Sequence, residues 1–174
     1  MLNAASRGKV NFKTGRKSGL LSLFLICLVF FLPAGFSAGD VHLPESILNM
    51  QKLKTFSGEK ASGTVDRMHR GRVATGRDFI AKYKGSGYSA TYYLSLYADP
   101  DKAREAMESM ARVMEETEHE FTHLMPRTVK GKKVFMALGH GQAHYFFARD
   151  NELVWLAVDT EVAEAALEEV LMNY

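Results

Sequence analysis

Ala143-His144-Tyr145-Phe146-Phe147-Ala148-Arg149 runs into Asp150-Asn151, and Leu153-Val154-Trp155-Leu156-Ala157-Val158 follows. Two runs rich in aromatic and β-branched residues, split by a turn-forming pair, predict an antiparallel hairpin. Upstream, Val134–Leu138 reads as a third strand, joined through the turn Gly139-His140-Gly141. Downstream, Asp159-Thr160 is placed to cap a last helix, whose buried stripe is Ala163, Ala166, Leu167, Val170 and Leu171.

A similar order stands earlier in the chain. Asp78 to Tyr83 alternates, Lys84-Gly85-Ser86-Gly87 makes a turn, and Ser89–Tyr97 is a Tyr- and Thr-rich strand. Asp99-Pro100 then opens a helix, with Asp as cap and Pro at the first helical position. Ala103, Ala106, Met107, Met110, Ala111 and Met114 form its stripe, and continuing the phase brings Phe121 onto it, so the helix is expected to run on toward Pro126. Leu43-Pro44-Glu45-Ser46 reads as the start of a short helix carrying Ile47, Leu48, Met50 and Leu53, with glycines breaking the chain from Gly58 to Gly76. The expected fold is two-layer α+β: an antiparallel sheet of about five strands with two main helices on one face, in the order β-β-α-β-β-β-α. The two halves read as a degenerate repeat.

Alternation leaves a second sheet face. With Leu94, Leu96, Val134, Met136 and Leu138 toward the helices, Tyr93, Tyr97 and Phe135 turn the other way. On the later hairpin either His144, Phe146 and Trp155 join them, or Tyr145, Phe147, Val154 and Leu156 do. So many large side chains do not form a wet face. Residues 43–70 are expected to fold back over it. The sharper alternative is a partly open groove with Tyr93, Tyr97, His144 and Trp155 as binding residues.

The first 38 residues read as a targeting segment. Arg7, Lys9, Lys13, Arg16 and Lys17 precede an apolar run from Leu20 to Leu32, and Pro33-Ala34-Gly35-Phe36-Ser37-Ala38 follows. That is the order of a secretory signal, with cleavage expected after Ala38. Residues 20–36 retained as a membrane anchor are the competing reading. Either way residues 39–174 form one exported domain, periplasmic or secreted. The chain holds 22 basic and 20 acidic residues; with five basic residues in the leader, the exported part carries 17 against 20, a net of −3. That excludes a general electrostatic grip on nucleic acid. A single cysteine, Cys27, excludes an intrachain disulfide and a Cys-rich zinc site.

His119-Glu120-Phe121-Thr122-His123 matches H-E-x-x-H. On a helix, His119 and His123 would share one face and bind zinc, with Glu120 as the base for metal-bound water. Against this stand the phase, which turns both histidines to solvent, and the extended pattern, which fails at Pro126 and Val129. His140 and His144 lie four apart across a turn, where strand spacing does not bring them together.

The strand running into Tyr97-Ala98-Asp99-Pro100-Asp101-Lys102-Ala103, and the later Gly141–Phe147 and Leu153–Asp159 segments, resemble small exported bacterial α+β domains of uncharacterised function. The resemblance covers roughly the last hundred residues. It implies the fold and the compartment and carries over no catalytic residue. The expected function is accordingly a non-enzymatic binding or interaction module of a bacterial envelope, without cofactor. Its partner would be a protein or small molecule, and its membrane contact would come only through an uncleaved leader. The alternative is a small zinc-dependent hydrolase using residues 119–123.

Overall fold

Five hairpins of one design organise the sheet. Each joins its strands through two residues, the first with positive φ: Leu48-Asn49 (φ 51° at Leu48), Ser86-Gly87 (52° at Ser86), Lys130-Gly131 (52° at Lys130), His140-Gly141 (52° at His140) and Asp150-Asn151 (49° at Asp150). Turns of this hand match the twist of the flanking strands, and glycine as second residue takes the left-handed conformation without a Cβ clash.

A computed structural model describes residues 41–69, 72–116 and 120–173. The leader reading of residues 1–38, and His119 of the H-E-x-x-H motif, lie outside them. The elements are β1 (Ser46–Ile47), β2 (Met50–Ser57), α1 (Gly58–Met68), β3 (Asp78–Gly85), β4 (Tyr88–Leu96), α2 (Pro100–Glu116), β5 (Thr122–Val129), β6 (Lys132–Gly139), β7 (Gln142–Arg149), β8 (Glu152–Asp159) and α3 (Ala163–Asn173), the last preceded by a 3-10 turn at Thr160–Val162. The strands form one curled, half-barrel antiparallel sheet in the order β1-β2-β3-β4-β8-β7-β6-β5. No described helix is long and apolar enough to cross a membrane.

The expectation of about five strands and a two-layer arrangement is therefore corrected: there are eight strands, and helices cover both faces. On one face Tyr92, Leu94, Tyr145, Phe147, Val154, Leu156 and Val158 pack against Ala166, Leu167, Val170 and Leu171 of α3. On the other, Phe135, Phe146 and Trp155 pack against Met107 and Ala111 of α2. The degenerate repeat fails for the same reason, since the helix following each half goes to the opposite side.

Three strands escaped the pattern. β2 carries a bulge between Lys52 and Lys54, and β5 carries one between Thr122 and Met125 as well as Pro126. A bulge breaks period-two alternation, and proline belongs at sheet edges. The expected short helix at 43–53 is in fact β1, a tight turn and the start of β2. The expected continuation of α2 to Pro126 also fails: α2 ends at Glu116 and Thr122 already opens β5. At its start α2 is as read, with Asp99 Oδ1 accepting from the Lys102 amide at 2.9 Å and Pro100 in the first turn. Asp159 does not cap the last helix. Its carboxylate instead accepts from the Ser89 amide (2.8 Å) and Gln142 Nε2 (2.9 Å), joining β4, β7 and β8.

α3 is fixed by polar contacts as well as by its apolar stripe. Glu164 accepts from Tyr145 Oη at 3.1 Å and pairs with Arg127. Burial, then the neighbouring Glu164 charge, pushes the Tyr145 phenol up to about 12. Glu169 Oε1 accepts from the Leu48 amide at 2.8 Å, tying the β1–β2 turn to the same helix.

Candidate functional site

Register builds the site. One cross-strand row runs Phe56, Ile80, Tyr93, Trp155, Phe146, Phe135 and Pro126, from β2 to β5. Phe135 and Phe146 stack with centroids 5.1 Å apart, and Phe146 and Trp155 at 5.2 Å. The next row on that face places His144 opposite Ala157 and Ala137. His144 and Trp155 therefore share a face with Tyr93 and Phe135, which resolves the choice that alternation left open.

This face is covered. Trp155 is 7% exposed and His144 5%. The cover is mainly α2, with Met107, Met110, Ala111 and Met114 in the cluster. The 43–70 segment divides its labour: Leu43, Ile47, Leu48 and Met50 pack on the α3 face, while α1 lies against β2 and β3. After α1, His69 Nδ1 donates to the Val65 carbonyl (2.8 Å), its Nε2 sits 3.4 Å from Met110 Sδ, and its ring lies edge-on to Trp155 at 6.4 Å.

His144 is locked at both nitrogens. The Trp155 indole N–H can only donate, and it donates to His144 Nδ1 at 3.0 Å. The Gly139 carbonyl can only accept, and it lies 3.0 Å from His144 Nε2. His144 is therefore the neutral Nε2–H tautomer. Phe121 closes the cluster, with ring centroids 4.7 Å from His144, 5.5 Å from Trp155 and 5.6 Å from His140. Position 139 must be glycine for this packing: a Cβ there would lie 2.5 Å from Phe121 Cδ1. His140 and His144 do approach, at 6.4 Å between centroids. His140 stands in the two-residue turn itself, which folds the chain back toward His144.

Of the four binding-face residues read from sequence, His144 and Trp155 are in contact, and half-buried Tyr93 is the cross-strand neighbour of Trp155. Tyr97 lies past the end of β4, where its backbone exchanges hydrogen bonds with Asn151. Phe146 was read as the same-face companion of His144, and Phe121 as a buried residue of a longer α2, whereas it enters the cluster after that helix has ended at Glu116. His69 is the member missed, because it enters from a segment whose geometry no periodicity specifies. Of the H-E-x-x-H residues, Glu120 sits in a bend and pairs with His140 Nε2 at 2.9 Å. His123 lies in β5 with φ 57°, its Nδ1 3.0 Å from Thr122 Oγ1. The helical i, i+4 geometry that the zinc reading requires is not adopted at Thr122–His123.

A pH dependence follows. Burial holds the His144 imidazole below its ordinary 6.5, with nearby His140 acting in the same direction and the Gly139 hydrogen bond opposing. The unfolded chain thus binds a proton at a pH where the folded one does not. The contribution of His144 to stability is complete above about 6.5 and is lost as pH falls through the lower folded value. Imidazole nitrogen NMR should find His144 as the Nε2–H tautomer at pH 6.5, with unfolding midpoints declining below that pH. An Nδ1–H tautomer or a protonated ring at pH 6.5 would refute the assignment.

Comparisons with protein-family models, with curated proteins and with solved structures return no match.

Proposed function

We propose that residues 39–174 are an exported, non-enzymatic binding module of a bacterial cell envelope. The observation that carries this reading is the engagement of both His144 nitrogens by Trp155 and Gly139. A general base needs a free lone pair facing substrate, and a metal ligand needs one facing the ion. His144, the most buried described imidazole, has neither to spare. The basic n-region, apolar run and small-residue segment before Gly39 support export.

Metal analysis of protein purified without a histidine tag tests the reading against the zinc hydrolase. No stoichiometric zinc is expected, and His123→Ala should leave metal content unchanged. One zinc per chain, lost in His123→Ala, would replace the binding module by the hydrolase. Cell fractionation should recover the chain beyond the cytoplasmic membrane, and a soluble cytoplasmic location would defeat the export half of the proposal.

A further inference from the structure

The lysines of the exported part are not evenly placed. On β2 and β3, Lys54 stands directly opposite Lys82, and Lys84 follows two residues on along the same face. Like charges directly opposed across strands destabilise a sheet. Lys60, from the first turn of α1, joins them: Lys54 Nζ and Lys60 Nζ lie 5.0 and 4.8 Å from the centroid of the Phe56 ring. All four lysines are exposed, and none forms an ion pair with a described residue. Around the far β5–β6 hairpin, Lys130 pairs with Glu168 and Lys133 with Glu108, and Lys132 alone has no described ion pair. Three acids stand in the neighbourhood. Glu45 is taken by Lys52, Glu59 adjoins Lys60 in sequence, and Asp159 is occupied by Ser89 and Gln142. Four unpaired cations are thus gathered on a body whose net charge is negative.

Beside them stands an exposed apolar residue. Leu53 is the extra residue of the β2 bulge and is 65% exposed, between Lys52, which pairs with Glu45 at 2.6 Å, and the unpaired Lys54. An apolar tip set among ammonium groups is the composition of an interfacial membrane contact: lysines meet lipid phosphates while the apolar side chain enters the acyl boundary. An acidic protein would satisfy the lysines but leave Leu53 without a role. The first described residues also belong to this edge of the sheet, because β1 pairs with β2.

We propose that the Lys54–Lys60–Lys82–Lys84 patch with Leu53 is a docking surface for an anionic phospholipid bilayer. The inference rests on reading the chain as a binding module, and it supplies the module's partner. It is separate from any leader anchor, because the contact is made by the folded domain.

The test uses the full chain as isolated, carrying Cys27→Ser if the leader is retained, with Leu53→Cys bearing an environment-sensitive fluorophore. It is mixed with vesicles, or reconstituted into them when the leader is present, so that any anchor is common to all samples. Vesicles with about 30% phosphatidylglycerol should shift the emission to the blue, and neutral phosphatidylcholine vesicles should not. Lys54→Gln with Lys82→Gln should weaken the effect on the order of 30-fold, at about fivefold per lysine. Raising salt to about 0.5 M should abolish it. The double variant relieves a like-charge pair, so its unfolding midpoint should equal or exceed that of the parent. Loss of binding then cannot be charged to misfolding. No shift on anionic vesicles, an equal shift on neutral ones, indifference to the lysine variants, or a shift produced by polyglutamate instead of vesicles would each overturn the proposal. A zinc-free chain that ignores lipid would still stand as a binding module, so the two failures are distinguishable.

Discussion

Phe146→Ala should lower the stability of the domain by about 3–5 kcal/mol, the usual cost of truncating a buried Phe. Phe146 is fully buried within the seven-residue row and is stacked on both sides, by Phe135 and by Trp155. Paired stacking adds to area burial, at about 0.5–1.5 kcal/mol per aromatic pair. Neighbours cannot easily close the gap, because Phe135 and Trp155 sit on backbones held by the ladder and Met107 and Ala111 belong to a capped helix. Domains of this size are typically stable by about 5–15 kcal/mol, so the variant would stand near the threshold of folding. Urea unfolding followed by Trp155 fluorescence measures it directly. Phe146→Leu, which refills most of the volume, should cost only about 1–2 kcal/mol. A loss below about 1 kcal/mol for the alanine variant would mean that this row is not the structural centre of its face.

The same row shows what a sequence of this kind discloses. β7 and β8 were legible because Ala143–Arg149 and Leu153–Val158 are uninterrupted and their turn chemistry is explicit. Hence the companionship of His144, Phe146 and Trp155 was available before the structure as one of two parities. β2 and β5 were illegible because each spends a residue on a bulge, which reverses the parity of everything beyond it. The bulges belong at these positions. β5 closes one side of the open sheet, and β2 has only the two-residue β1 beyond it. Such exposed strands are kept from pairing with other chains by irregularity, proline and charge. The features that protect the edges are those that hid them. The location of the helices was illegible for a different reason. A one-sided stripe says that a helix is half-buried, not which face of a sheet receives it. The second face therefore looked vacant in the sequence, whereas α2 occupies it.

The same logic separates the buried aromatic site from the surface proposed to meet lipid. Trp155 and His144 attract notice by residue type, yet their polar atoms are used internally. Lys54 and Lys82 attract none, because lysines on strands ordinarily read as solvated faces. Only the register, which sets them opposite one another with no described acid to pair with, turns them into a candidate contact.

A buried carboxylate connects this surface to the core. Asp78 is fully buried at the start of β3 and meets only donors. Ser95 Oγ and Ser62 Oγ each donate to it at 2.6 Å, and the Gly76 amide at 3.1 Å. It thereby joins β4, α1 and the 75–77 loop to its own strand. Asp78→Ala should cost about 2–4 kcal/mol, because the buried Ser95 hydroxyl loses its acceptor while the more exposed Ser62 and Gly76 groups can turn to water. Asp78→Asn should not restore the parent, since its amide would aim N–H groups at donors. Much of the loss should be local. Ser62 is the contact through which Asp78 holds α1, so amide exchange over Gly58–Met68 should accelerate more than exchange in β7 and β8. A double-mutant cycle with Ser95→Ala should show coupling of about 1 kcal/mol or more. Uniform acceleration across all elements, or additive effects in the cycle, would mean that Asp78 is not the tie between α1 and the sheet. Because α1 carries Lys60, loosening it should also weaken anionic-vesicle binding without altering any charge of the lysine patch.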